Sequence, residues 1–131
     1  MRKAALVALA LIVSFNGALA VQQFEPQTKE DFTRLAVAPK QINGIGRMIV
    51  NITDFDGAPI QGAYAHLDSN RTDGFMCESW ASTNALGLAA LPPIHMGRLK
   101  LKVKAKGYRD QVVEVPYEDL SSPVVVKLQK K

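Results

Sequence analysis

Five side chains in the sequence could combine soft or borderline donor atoms into a transition-metal site. They are His66, Met76, Cys77, His95 and Met96. Copper(I) accepts thiolate, thioether and imidazole ligands, so this set has the chemistry of a copper site. No spacing among the five matches a blue-copper or zinc motif. The sequence therefore predicts no metal site and no cofactor. If a metal were bound, its candidate ligands would be Cys77, His95 and Met96. A thiol that packs as a small hydrophobic group is the alternative for Cys77.

Catalytic chemistry has little support in the order of the residues. Serine, histidine and aspartate all occur, but they form neither a nucleophile elbow nor another catalytic motif. The sequence therefore predicts a protein that is not an enzyme and has no catalytic residues.

Lysines alternate strictly with apolar residues between Leu99 and Lys106. Successive side chains of a strand point to opposite faces, so this segment is a half-buried strand with a lysine face. The lysines on that face are Lys100, Lys102, Lys104 and Lys106. Neighbours lie roughly 6.6 Å apart and together could attract an anionic polymer or an acidic partner. The alternative is that they keep a sheet edge soluble and unpaired.

Two aromatic side chains are predicted on outer faces. The strand at 61–68 turns Tyr64 and His66 outward, and its alternate residues inward. The strand at 75–83 has two possible registers, and an unpaired buried Glu78 would be costly. We therefore favour the register that exposes Trp80 at least partly and turns inward Phe75, Cys77, Ser79 and Ala81. Trp80 and Tyr64 are candidates for stacking on a glycan or for contacting a protein.

Turn residues and alternating apolar residues divide 45–131 into seven strands. They are predicted at 47–53, 61–68, 75–83, 87–91, 99–106, 110–115 and 123–128. No helical period lies between them, which indicates an all-β, antiparallel sandwich domain over 45–131. In the first strand, Met48, Val50 and Ile52 are predicted to face the core, with Ile49 outward.

The residues before this domain read as an export signal and a leader. Arg2 and Lys3 precede an apolar run at 4–13, and the small residues at 18–20 form an A-x-A cleavage site. We expect residues 1–20 to be removed as a signal peptide and the chain to be periplasmic or extracellular. No later run is apolar enough for a transmembrane span.

The leader at 21–44 contains one possible short helix. Thr28 is a candidate N-cap with Asp31 three residues on, and Phe32 and Leu35 would share its apolar side. A two-turn helix is marginal alone and needs a surface to dock on. A flexible leader is the alternative.

Charge and cysteine content exclude two features, nucleic-acid binding and an internal disulfide, from what the sequence predicts. Without Arg2 and Lys3 the chain keeps 14 basic residues against 12 acidic ones, a net charge of about +2. That is too small to predict nucleic-acid binding. Cys77 is the only cysteine, so an exported chain would have no internal disulfide.

Four segments resemble the carboxypeptidase regulatory-like domain. They are residues 46–50, 56–63, 83–87 and 98–108. The resemblance covers about 46–128 and implies a transthyretin-like, seven-stranded Greek-key β-sandwich. Its motifs are turns and core strands, so it bears on fold more than on function. The family implies an accessory module of exported proteins without shared catalytic residues. Because 92–97 is longer than the family's usual turn, His95 and Met96 are expected on a protruding loop.

Three functions follow, in order of preference. The first is an exported, non-catalytic module that binds a partner protein or a cell-envelope component. The second is a carbohydrate-binding module that uses Trp80 and the tyrosines. The third is a small transthyretin-like hydrolase. The hydroxyisourate hydrolases of this fold end in a Tyr-Arg-Gly-Ser type tail, which residues 126–131 do not match.

Overall fold

The computed structural model of the protein describes residues 28–131. The predicted signal peptide lies outside the described residues. The described part has one α-helix, α1 (Lys29–Leu35), one 3-10 helix (Tyr117–Ser121) and nine strands. The strands are β1 (Ile45–Gly46), β2 (Ile49–Asp54), β3 (Tyr64–Asn70), β4 (Met76–Ser82), β5 (Leu88–Ala90), β6 (Ile94–His95), β7 (Arg98–Lys104), β8 (Gln111–Val115) and β9 (Val124–Leu128). The protein is therefore mostly β, as the sequence predicts.

The strands form three sheets. The four-stranded sheet has the order β4-β3-β7-β8, the three-stranded sheet the order β5-β2-β9, and β1 pairs with β6. Every pair in the four-stranded sheet is antiparallel. β2 and β9, however, run parallel, so the expectation of a wholly antiparallel fold is wrong at this pair. β9 can run parallel to β2 because the long connection between them returns the chain to the end of the sheet at which β2 begins.

The four-stranded and three-stranded sheets contribute to one hydrophobic cluster. In the four-stranded sheet, Leu101 and Val103 alternate with lysines and are fully buried, as their spacing predicts. In the three-stranded sheet, Val50 and Val126 belong to the same cluster. The inward faces predicted from period-two spacing are therefore correct for these strands.

The leader contains the predicted helix. Thr28 caps α1, since its hydroxyl accepts from the Asp31 amide at 3.1 Å and the Asp31 carboxylate accepts from the Thr28 amide at 3.2 Å. Phe32 is buried against Ile49 and Leu88. Ile49 does point away from the main core, but α1 covers it, so the expectation that it faces solvent is wrong. No helix within 28–131 is long and apolar enough to cross a membrane.

Three local expectations need correction. Residues 94–95 form β6 and pair with β1 instead of protruding, and Met96 is fully buried in the main cluster. β7 ends at Lys104, which places Lys106 in the following turn. Phe75 lies before β4 and is exposed, because the strand that would have turned it inward begins one residue later.

Candidate functional site

The candidate site is the solvent-facing side of the four-stranded sheet, called here the outer face. Its register aligns side chains in rows across the strands. One row contains Trp80, His66, Lys102 and Val112, and the next contains Glu78, Asp68, Lys100 and Glu114. Above and below them lie Tyr64, Lys104, Met76, Asn70 and Arg98. β3 is central in this sheet, and its alternate residues Ala65, Leu67 and Ser69 are fully buried, which fixes the others outward.

Three side chains of the outer face meet at its centre. His66 Nε2 lies 3.4 Å from Asp68 Oδ1 and 3.6 Å from Glu78 Oε1. One donor atom from each side chain lies within 4.8 Å of the other two. The His66 and Asp68 side chains are 26% and 15% exposed, whereas Glu78 is 45% exposed. The arrangement, called here the His-Asp-Glu cluster, is a group of one imidazole and two carboxylates, of which Glu78 is the most exposed.

Aromatic rings flank the imidazole. The Trp80 ring meets His66 edge to face at 6.1 Å between centroids, and the Tyr64 ring lies at the same distance with a tilt of 50°. Trp80 remains 54% exposed. The register that exposes Trp80 is confirmed, since β4 turns Ser79 into the interior and Glu78 to solvent. Trp80 and Tyr64 are both exposed, as the sequence predicts, and the strand register places them on one face.

The predicted lysine row is partly neutralised by acidic neighbours. Lys102 Nζ lies 3.5 Å from Asp68 Oδ2. Lys100 lies between Asp68 and Glu114 in the strand register. With Arg98 and Lys104 the outer face has four basic side chains against three acidic ones, Asp68, Glu78 and Glu114. The face is therefore a mixed-charge surface and not an isolated basic stripe.

The candidate metal ligands from the sequence lie elsewhere. Met96 is buried in the main cluster, and His95 Nδ1 lies 2.9 Å from the Asn43 carbonyl oxygen. Cys77 is a free, partly buried thiol on the inward side of β4. The possible metal ligands that the described residues bring together are instead those of the His-Asp-Glu cluster.

Sequence reasoning missed this cluster for a definable reason. His66 and Asp68 are two residues apart on one strand, so alternation alone places them on one face. Glu78 joins them because β4 pairs Glu78 with Asp68. That pairing depends on the register between β3 and β4. The sequence alone does not define this register, because it does not define where β3 ends and β4 begins.

Comparisons with known proteins identify no relative. No protein-family model matches the chain, and no curated protein matches it either.

Proposed function

We propose that the protein is an exported, non-catalytic β-sandwich module that binds a partner protein of the cell envelope or extracellular space through the outer face. The Arg2-Lys3 start, the apolar run and the small-residue exit at 18–20 support export. Mass spectrometry of the chain from its native cells tests this part, with Val21 expected as the first residue. The accessory-module class is part of the proposal and comes from the resemblance of residues 46–50, 56–63, 83–87 and 98–108 to the carboxypeptidase regulatory-like domain, for which no family model matches the chain.

The exposed indole of Trp80 is the observation that carries the proposal. A tryptophan more than half exposed on a folded sheet leaves a large apolar area in water. Met76 on the same strand and Val112 across the face are also exposed. Aromatic residues and methionine are enriched in protein interfaces, where tryptophan is a common energetic anchor.

The surroundings of Trp80 fit a protein partner better than an anionic polymer. The outer face has four basic side chains against three acidic ones, and Lys102 lies 3.5 Å from Asp68. Such a mixed field can select a partner of complementary pattern, but it gives weak attraction to a uniformly negative chain. β4 also lies at the edge of its sheet, so one side of its backbone has no strand partner within 28–131. An extended segment of a partner can pair with such an edge.

The surroundings of the two histidines bear on whether either imidazole could activate a nucleophile. His66 faces two carboxylates, and His95 contacts a backbone carbonyl. Within 28–131, neither imidazole is hydrogen-bonded to a serine, threonine or cysteine side chain that it could activate as a nucleophile.

Binding to the native envelope fraction tests the proposal. Labelled protein should bind saturably and be displaced by excess unlabelled protein. Trp80→Ala should weaken this binding by at least about 30-fold, the loss of an anchor worth about 2 kcal/mol. Phe55→Ala is the matched control, because Phe55 is also an exposed aromatic but lies in the turn after β2. Equal binding by the parent and the Trp80 variant would exclude the outer face as the interface.

Carbohydrate binding is the second candidate. Trp80 and Tyr64 offer ring faces for stacking, and the carboxylates of Asp68 and Glu78 can accept hydrogen bonds from sugar hydroxyls. A glycan array separates the two functions. Binding to defined glycans that is lost in Trp80→Ala would favour the carbohydrate function over the protein partner.

A further inference from the structure

We propose that the His-Asp-Glu cluster is a binding site for a divalent first-row transition-metal ion, with His66, Asp68 and Glu78 as its protein ligands. The site differs from the Cys77, His95 and Met96 set that the sequence offers. It depends on the geometry of three side chains and not on the partner binding proposed above.

The backbone holds the three ligands in place. His66 and Asp68 occupy alternate positions of β3, which is paired along its whole length on both sides. Glu78 lies directly opposite Asp68 on β4. Directly opposed residues of an antiparallel pair have Cβ atoms about 4.5–5.5 Å apart, so a small ion can bridge their carboxylates.

The donor separations fit a metal better than they fit hydrogen bonds. An ion with ligands at about 2.1 Å in a tetrahedral arrangement separates any two donor atoms by about 3.4 Å. His66 Nε2 lies at 3.4 Å and 3.6 Å from the two carboxylate oxygens. Ordinary hydrogen bonds between such atoms are about 2.7–3.2 Å long. The third separation is that between the donor oxygens of Asp68 and Glu78, which lie within 4.8 Å of each other. A small inward movement of the more exposed Glu78 side chain would bring it to the tetrahedral value.

The imidazole nitrogen is the group that most needs a ligand. His66 Nε2 has less than 1 Å² of exposed surface and no hydrogen-bond partner. A buried nitrogen without a partner is costly, and two carboxylates opposed on neighbouring strands repel each other. A divalent cation between the three groups would remove both costs, because it takes the nitrogen lone pair and neutralises two negative charges.

The ligand set selects the class of ion. One imidazole with carboxylate oxygens suits borderline ions such as Zn²⁺ or Co²⁺, whereas Mg²⁺ and Ca²⁺ prefer all-oxygen sites. Lys102 contacts Asp68 Oδ2, which leaves Oδ1 directed at the imidazole. Since Glu78 is half exposed, the remaining coordination positions face solvent and are open to water or to a donor atom of a bound molecule.

The only tryptophan of the chain reports directly on this site. The Trp80 ring is 6.1 Å from the His66 ring, so bound Co²⁺ should quench the intrinsic tryptophan fluorescence. The experiment is a Co²⁺ titration of the purified protein without a histidine tag. We expect quenching that saturates at one ion per chain and reverses with EDTA. Zn²⁺ should displace the bound Co²⁺ and restore the fluorescence, whereas excess Mg²⁺ should not.

Two glutamate variants decide whether the cluster is responsible. Glu78→Gln keeps the shape of the side chain but removes a ligand, and it should weaken Co²⁺ binding at least about 10-fold, since loss of even outer-shell partners has effects of that size. Glu114→Gln makes the same change on the same face, two strands from β3, and should leave binding within about twofold. Zn²⁺ should raise the melting temperature of the parent and of the Glu114 variant, but not of the Glu78 variant.

Two results would overturn the site. One is the absence of saturable quenching in the parent. The other is equal Co²⁺ affinity in Glu78→Gln and in the parent. Neither result bears on partner binding, which is measured without added metal.

Discussion

Three buried hydroxyls connect the four-stranded sheet to the segments around it. Ser69 Oγ donates to the His95 carbonyl at 2.7 Å, and Ser79 Oγ donates to the Pro92 carbonyl at 2.6 Å. Thr83 Oγ1 donates to the Ile60 carbonyl at 2.6 Å and accepts from the Ala63 amide at 2.9 Å. Each hydroxyl satisfies at least one backbone group of a segment distant in the chain.

Thr83 provides a test of that role. Thr83→Val keeps the shape of the side chain but leaves the Ile60 carbonyl and the Ala63 amide without this partner in a buried place. We expect the free energy of unfolding to fall by about 1–3 kcal/mol. Chemical denaturation measures it, and Thr83→Ser is the control because it retains the hydroxyl. The serine variant measures separately the cost of the lost methyl group, which valine retains. A valine variant as stable as the parent would mean that the two hydrogen bonds do not contribute to stability.

Single residues also mark what the sequence can predict. The inward direction of Val103 follows from alternation within one strand. The outward direction of Trp80 follows from alternation together with the cost of burying Glu78, and both predictions are confirmed. The partners of Ser69 and Thr83 lie 26 and 20 residues or more away along the chain. Local pattern contains no information about such contacts, and the same reason explains why Glu78 was not connected to His66.

At the scale of elements, β2 differs from the other long strands because it is covered on both sides. Val50 and Ile52 face the main cluster, while Ile49 packs under Phe32 of α1. The sequence shows the capping pattern of the helix, but not which surface the helix would cover. The sequence does offer one signal for this docking, because the strand has apolar residues on both faces. Ile49 is the clearest apolar residue on the face that α1 covers.

Docking of α1 is testable through Phe32. Phe32→Ala removes the one buried side chain of the helix and uncovers Ile49. The expected loss is about 3–5 kcal/mol in the free energy of unfolding, the range for a buried phenylalanine. Arg34→Ala, on the exposed side of the same helix, should change it by no more than about 0.5 kcal/mol. Denaturation curves of the two variants with equal midpoints would show that the helix does not contribute to folding.

At the scale of the whole molecule, the sheets depend on contacts between distant parts of the chain. β2 is central in the three-stranded sheet, with β5 on one side and β9 on the other. The alternation of each strand predicts which of its faces is apolar, so the mostly β class could be predicted. The parallel direction of β2 and β9 and the pairing of β1 with β6 could not be predicted. Both depend on which strand the chain comes to lie beside after a long connection.

The last strand should therefore be necessary for the fold as a whole. Removing residues 123–131 takes away Val126 and Leu128, both almost fully buried, and all five register pairs between β2 and β9. Each side chain contributes about 1.5–3 kcal/mol by burial, a large share of a total stability of about 5–15 kcal/mol. We expect circular dichroism of the shortened chain to show no cooperative melting. Removing only residues 130–131 is the control and should preserve a cooperative transition, because β9 ends at Leu128. If the chain without 123–131 melted as cooperatively as the control, β9 would be an accessory edge and not a structural requirement of the core.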